Sequence, residues 1–331
     1  MPQKPGQAGR LRQETGSALL AVLWVSAALA AIAFSLANTV LGETQRTSTE
    51  VDGLRAYYLA TGALERAEYE LLWSVQAPNN RYPVHAGSAF VDYSFPSGNA
   101  HVEIIPEAAK LNVNIVPPEE LYRLVIALGV EPGRAGEIAA GIVDWRSPTR
   151  DVVTPFDQYY LSLTPSFRAR HASLEEIEEL LSVKGITSEL FYGTYVPAPE
   201  DSEGPRLLPR PGLVDCLSVF GSSAQIDANT ASPAVLAAIG MSPDAINALV
   251  QRRRALPLTP PQLTPFVEAA GAGAARLRIG GNSIFTLRST ARLRLSNGEL
   301  ADLRRTVAAM IKFMPDGYIH TLRWYDTAWS N

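Results

Sequence analysis

The sequence predicts an α+β fold: a long N-terminal helix, an antiparallel sheet drawn from both ends of the chain, and a large helical insertion between. Three observations carry this. An uncharged apolar run, Ser17 to Gly42, continues without proline into an amphipathic stretch that reaches Trp73. Period-two alternation appears in FVDYSF and HVEII near the first third, and again in IFTLRSTARLRL near the C-terminus. The segment between, residues 114–280, carries helix starts and stops instead.

The apolar run decides the compartment. A secretory signal has an apolar core of roughly 7–15 residues, whereas a spanning helix needs about 20. Ser17 to Gly42 is long enough to span, with Lys4, Arg10 and Arg12 before it and Glu43 and Glu50 among the first charges after it. The positive-inside rule then leaves the N-terminus in the cytoplasm and sends the bulk of the chain across. Beyond the run, Val51, Leu54, Tyr58, Leu64, Ala67 and Leu71 recur at helical spacing. Glu43, Arg46, Arg55, Glu65 and Arg66 supply a solvated face, and Gly53 and Gly62 are the weak points of the helix.

The strands follow from alternation. Val91, Tyr93 and Phe95 alternate with Asp92 and Ser94, SGN makes a turn, and Val102 and Ile104 alternate with His101 and Glu103. Near the C-terminus, Phe285, Leu287, Ala291, Leu293 and Leu295 oppose Thr286, Arg288, Arg292 and Arg294. Asn297-Gly298 is a strong hairpin turn, LADLRRTVAAMIKFM follows it, and YIHTLRWY forms a last strand. In the insertion, Pro117 and Pro118 open a helix that Gly129 stops, and PGRAGEIAAGIVDW makes a second. Ser173 and Glu176 form a capping box ahead of IEELLS. TASPAVLAAIG and MSPDAINALVQRRR each open with Ser-Pro, and VPAPEDSEGPRLLPRPG is a connection.

Composition excludes several classes. The chain has 331 residues, 47% of them hydrophobic, so it buries a sizeable core. A net charge of −4 gives no general reason to seek nucleic acid. Cys216 is the sole cysteine, which rules out an intramolecular disulfide, and with four histidines leaves little for a zinc cluster. No P-loop, dinucleotide fingerprint, G-x-S-x-G elbow or H-E-x-x-H is present. Glu175, Glu176, Glu178 and Glu179 supply paired carboxylates, but consecutive acids on one helix normally make a solvated face.

Taken in order, several segments carry a resemblance: the leader ending ETG, then SALLAVLWVSAALAAIA, LRAYYLATGALERAEY, LNVNIV leading to GIVDW, YYLSLTPSFRARHASLEEIEELLSVKGITSELF and IDANTASPAVLAAIG. The chain resembles the K-type minor pseudopilins of type II secretion. The resemblance implies a pilin-like helix and sheet from residues 43–113 and 281–331, and an inserted domain of helix-hairpin-helix or SAM-like units at 114–280. It also implies a leader, 1–16, removed by the prepilin peptidase between Gly16 and Ser17, and a retained membrane helix, 17–42. Ser17 departs from the bulky apolar residue usual after that cut. The function implied is non-enzymatic: a subunit at the tip of a periplasmic pseudopilus, anchored once in the inner membrane, that starts or caps its assembly with the I, J and H types. Most pilin-like proteins carry glutamate at the fifth position after the cut. Here it is Ala21, which suits a subunit with no neighbour above it, since a buried unpaired carboxylate is costly.

Two site readings remain open beside this. The family is associated with calcium in an acidic loop after DW, and calcium takes six to eight oxygens. In DWRSPTRDVVTPFDQYY the acids are Asp144, Asp151 and Asp157, with Asp151 and Asp157 as the calcium candidates, while Arg146 and Arg150 bring opposing charge. A solvated polar loop explains the same residues. The rival function is a membrane-anchored DNA receptor gripping phosphates through LLSVKGITSELF and the Ser-Pro hairpin, helped by Arg252 to Arg254. The acidic EEIEEL beside the first hairpin opposes it.

Overall fold

The computed structural model describes residues 14–76, 84, 88–149, 152–197, 207–221, 225–269, 275–280, 283–314 and 316–328. Two compact units divide the chain, residues 1–55 and 56–331. Helix α1, Glu14–Gln76, contributes to both.

In the first unit every residue from Ser17 to Val51 is exposed, large apolar side chains such as Leu23, Trp24, Ile32 and Phe34 included. Unpartnered apolar surface of this extent suits lipid. The threonine hydroxyls on this stretch satisfy themselves: Thr39, Thr44, Thr47 and Thr49 each donate to a carbonyl one turn back, at 2.8–3.0 Å. The helix therefore carries few polar demands of its own.

In the second unit the same helix is buried along one face. Ala56, Ala60, Ala63 and Ala67, spaced by helical turns, are fully buried, and Leu64 and Leu71 flank them. Small side chains let the helix lie close to a five-stranded antiparallel sheet. Its strands are β1 (Phe90–Phe95), β2 (Gly98–Pro106), β9 (Ile284–Arg294), β10 (Leu300–Phe313) and β11 (Ile319–Tyr325), in that spatial order. The chain thus leaves the sheet after β2 and returns beside it with β9. Val91, Tyr93, Val102, Ile104, Leu287, Val307, Ala309 and Ile311 share the core with the helix. Tyr93 also donates to Glu70 at 2.8 Å, and Arg66 bonds the same carboxylate from the next turn, so the one buried acid of α1 has two partners.

The first hairpin turns on Pro96 and Ser97, so the glycine of SGN already belongs to the strand. The reason is close approach: a Cβ on Gly98 would lie 2.1 Å from the Arg292 carbonyl oxygen of β9.

The insertion is helical apart from three short strand pairs. Its helices are α2 (Pro118–Ala127), α3 (Pro132–Arg146), α4 (Pro155–Leu161), α5 (Ser188–Tyr192), α6 (Leu213–Cys216), α7 (Pro233–Ala238), α8 (Pro243–Ala255) and α9 (Pro260–Ala269). The strand pairs are β3 (Leu111–Asn112) with β6 (Leu217–Ser218), β4 (Thr194–Pro197) with β5 (Leu207–Arg210), and β7 (Ile226–Asp227) with β8 (Leu277–Arg278). IEELLS forms a 3-10 helix, and Ser173 does not cap it. The Glu179 carboxylate reaches back to the Glu175 and Glu176 amides at 2.8 and 3.2 Å and fixes that start.

Within the insertion one motif occurs twice. Leu111-Asn112-Val113-Asn114 opens the first copy, and Ile226-Asp227-Ala228-Asn229 opens the second. Each is a two-residue parallel strand followed by a proline-started helix, a left-handed glycine (Gly129 or Gly240) and a second proline-started helix. In both, the asparagine side chain clamps a distant leucine backbone through donor and acceptor. Asn114 bonds Leu174 at 2.7 and 2.9 Å, and Asn229 bonds Leu258 at 2.8 and 3.1 Å. An arginine from each second helix braces the opening strand: Arg146 donates to Val113 and Val116 carbonyls, Arg253 to the Ala228 carbonyl. Helices α2 and α7 pack on each other, and Arg123 donates to the Ala238 carbonyl across that contact at 2.8 Å.

The insertion lies on the face of the sheet opposite α1. Arg323 of β11 bonds Glu176 at 2.6 Å and stands over the Phe220 ring, while Thr286 of β9 donates to buried Glu107 at 2.7 Å. Lys110 pairs with Glu107 at 3.3 Å within the same seam. Helix, sheet and insertion form three layers.

Candidate functional site

Four places on the molecule could carry the function: the bond after Gly16, the loop after DW, the hairpin arginines and the outer face of α1. Gly16 and Ser17 lie in the opening turns of α1, at the front edge of the exposed apolar stretch. The basic leader residues Lys4, Arg10 and Arg12 lie outside the described residues, as do Asp151 and Arg150.

In the loop after DW the described acids are already engaged. Asp157 sits at the third position of α4, with its side chain 4% exposed, and closes a reciprocal capping box with Thr154. Its Oδ1 accepts from the Ala169 amide at 3.2 Å, and its Oδ2 from the Thr154 amide at 3.2 Å and His171 Nε2 at 2.9 Å. Asp144 Oδ2 accepts from the Thr154 hydroxyl at 3.2 Å, and the Asp144 main-chain oxygen lies 3.1 Å from His171 Nδ1. Burial alone would raise the Asp157 carboxyl and lower the His171 ring. The bonds between them, with the amides on Asp157, reverse both, so Asp157 is held below the usual carboxylate range and His171 above its own. Asp144 is pushed up by burial, against the Thr154 hydroxyl and His171. Sequence reasoning passed over His171, yet it is the described non-glycine residue with a left-handed backbone, at φ 49°.

A calcium ion requires free carboxylate lone pairs. Asp157 accepts one hydrogen bond on Oδ1 and two on Oδ2, and the other candidate, Asp151, lies outside the described residues. Among the described residues no group of three or more histidine, cysteine or acidic side chains is placed to hold a metal.

Of the hairpin arginines, Arg252 and Arg254 are exposed and Arg253 is engaged within the fold. Arg253 is half-buried and spends its guanidinium on the Ala228 carbonyl at 2.9 Å. At the first hairpin, the Gly185 carbonyl accepts from Arg134 at 2.9 Å. The four glutamates, read in the sequence as possible paired carboxylates, also have structural work. Glu175 and Glu179 bind Arg170, Glu179 binds the Trp145 indole at 3.3 Å, and Glu176 binds Arg323.

The outer face of α1 carries exposed aromatic side chains. Tyr58, Tyr69 and Trp73 are 65%, 59% and 45% exposed, and helical spacing places them opposite Ala56, Ala60, Ala63 and Ala67.

Comparison with known proteins agrees with this architecture. Residues 107–193, which hold the first copy of the repeated motif, match the family described as type II secretion system (T2SS), protein K. The type II secretion system protein K of Klebsiella pneumoniae is 25% identical over 248 residues, 69% of this chain and 70% of that protein. Residues 107–193 thus carry the domain described for protein K, and the chain is similar to protein K beyond that domain. The protein K of Pectobacterium carotovorum subsp. carotovorum is 27% identical over 203 residues, covering 54% of this chain and 60% of its own length. A chain in the crystal structure of the GspK-GspI-GspJ complex from enterotoxigenic Escherichia coli superposes with a TM-score of 0.56 at 19% identity, covering 86% of this chain and all of that one. That likeness supports the pilin-like α+β fold. These similarities support a minor pseudopilin, a structural component of type II secretion, and do not favour the DNA-receptor reading.

Proposed function

We propose that this minor pseudopilin occupies the tip of a periplasmic pseudopilus, starts or caps its assembly, and does so with I-type and J-type partners, the H type joining below. The observation that carries the reading is the insertion fixed to the sheet by charged groups, with Glu107 and Lys110 buried, Arg323 half-buried and Glu176 exposed. Pilin-like subunits stack through their long helices, and a rigid block on one subunit obstructs stacking above it while leaving α1 free to join helices below. Tyr58, Tyr69 and Trp73 on the outer face of α1 supply apolar surface for that contact. The related structure is of a GspK-GspI-GspJ complex, which supports those two partners.

The reading includes processing by the prepilin peptidase between Gly16 and Ser17. The helix 17–42 then anchors the chain once in the inner membrane with the rest in the periplasm. A start at Ser17, found by mass spectrometry of protein from cells with the peptidase, supports it; a start within the alanine-rich run refutes it. The tip role is tested by purifying the full chain in detergent with full-length I and J proteins. A stable ternary complex supports the role. Incorporation along the filament shaft, with no such complex, sinks it. The DNA reading has its own test: nonspecific duplex binding at low salt that fades steeply as salt rises.

A further inference from the structure

We propose that the sheet face opposite α1 holds a second binding surface, a charged groove that takes an extended segment of another protein with an acidic and a basic residue about four positions apart. The insertion covers only part of this face. At the other end a groove of about 510 Å³ stays open across β1, β2, β9 and β10. Its floor follows from strand register. Ser94, Asn99, Arg292 and Arg304 form one row across the four strands, and Asp92, His101, Thr290 and Thr306 form the next. In the row after these, Arg288 bonds Glu103 and is already buried in the seam with the insertion.

The arginine pair carries the argument. Arg292 and Arg304 stand directly opposite each other, an arrangement that destabilises a sheet unless an anion joins it. Arg292 spends Nε on the Ala301 carbonyl at 2.7 Å and Nη2 on the Leu300 carbonyl at 3.1 Å. Asp302 stands 3.8 Å away but is fully exposed, so it offsets little. Arg304 is exposed, and among the described residues none bonds or pairs with it. Beside them the Asn99 oxygen accepts from Ser94 at 3.2 Å and Arg294 at 2.8 Å, which leaves its amide as a further donor. Donors converging in this way fit a carboxylate. At the β1 end the sign is reversed: Asp92 is exposed and lies 2.7 Å from His101 Nδ1. An acid there opposes a uniform polyanion such as nucleic acid and favours a segment of mixed charge. Strands lie about 4.8 Å apart and successive rows about 7 Å apart, so Asp92 is about 14 Å from the middle of the arginine pair, or about four residues of extended chain. The groove faces away from α1, so a segment held there leaves the stacking helix free, and the proposal stands whether or not the tip assignment does.

The test uses the full chain in detergent and a short fluorescein-labelled serine-threonine peptide that carries paired aspartates and, about four residues on, a lysine. Fluorescence anisotropy follows its binding to the wild type, Arg304→Gln and Arg304→Glu. The expected result is saturable binding to the wild type that Arg304→Gln weakens about threefold and Arg304→Glu at least about tenfold. Asparagines in place of the peptide's aspartates should weaken it by about tenfold as well. Without peptide, Arg304→Gln should raise Tm by about 1 °C, because a like-charge pair is relieved. No binding to the wild type, or equal binding of the aspartate and asparagine peptides, overturns the proposal. So does equal binding to all three proteins. A polyglutamate peptide that binds as tightly overturns the occupant named, since the acid on β1 would then play no part. An Arg304→Gln chain less stable than the wild type overturns it too, because the fold itself would then be what holds the arginine.

Discussion

The two copies of the repeated motif solve one problem in two ways. Each must hold a short parallel strand and a helical hairpin against a returning chain, and each does it with an asparagine clamp and an arginine brace. The first copy then spends a long loop and α4 before the clamp closes at Leu174, with the 3-10 helix following it, whereas the second closes almost at once. The conserved-looking parts are those that satisfy buried backbone groups; the parts that differ face the sheet. Residues Ile177 and Glu178, beyond the long loop, line the seam against β9–β11, and Glu176 meets Arg323 there. The chain just after the first clamp is therefore one of the segments that attach the insertion to the pilin-like sheet, beside Glu107, Lys110 and Phe220.

The clamps give the largest expected effects. Asn229 is 7% exposed and serves both polar groups of buried Leu258, so Asn229→Ala strands a donor and an acceptor. The expected loss is about 3 kcal/mol, and about 2 kcal/mol for Asn114→Ala, whose side chain is half-buried and whose loss water can partly offset. Equilibrium denaturation by urea reads both. Equal losses would break the ranking by burial, and a loss confined to one copy would break the equivalence.

The braces come next. Arg146 serves two carbonyls and Arg253 one, so Arg146→Met should cost about 2 kcal/mol and Arg253→Met about 1 kcal/mol by the same measurement. Methionine keeps most of the packed stem, which confines the effect to the lost hydrogen bonds. The glycines follow. Gly129 and Gly240 have φ of 85° and 91°, so alanine at either should cost about 1 kcal/mol. Alanine at Gly129 also meets the Arg210 side chain at 3.0 Å, whereas nothing lies within 4 Å at Gly240. The first substitution should therefore be slightly the worse.

How much of this was legible in the sequence follows from range. The long helix, both hairpins and the Ser-Pro helix starts are local signals, and α1, α7 and α8 lie where apolar spacing and capping residues place them. Ser232 and Ser242 accept from the amides three residues on, as N-caps should. The start of IEELLS was misplaced because a glutamate at the third position supplied the cap that Ser173 was expected to give. At the candidate site, Asp157 was singled out as a bare carboxylate, but its partners Ala169 and His171 lie 12 and 14 residues away. No local rule joins them. The repeat was readable in principle from LNVN and IDAN, each followed by proline, an apolar stretch and a glycine. What hid it was the six-residue α7 against the ten-residue α2, which breaks the alignment between the strand and the glycine.

The finest difference between the copies is a single atom type, Asn112 in the first against Asp227 in the second. The Asp227 carboxyl is buried, and burial pushes it above the usual carboxylate range. The Thr230 hydroxyl, the Asn229 and Gly280 amides and the Arg253 charge pull the other way without cancelling it. The folded chain thus holds this proton more tightly than the unfolded one. Its contribution to stability is full below the unfolded value and is lost as pH rises through the folded value. Asparagine at this position has no proton to lose, and Asn112 shows that the amide fits the motif, accepting from the Asn114 amide at 2.9 Å. The Tm of wild type should therefore fall relative to that of Asp227→Asn as pH rises from acid towards neutral, by about 2 °C across the range. Parallel Tm profiles for the two proteins would mean that the Arg253 charge and the hydrogen bonds fully offset burial. A widening advantage for the wild type with rising pH would mean the ionised acid is the preferred state, and the second copy would then rest on a charge that the first does without.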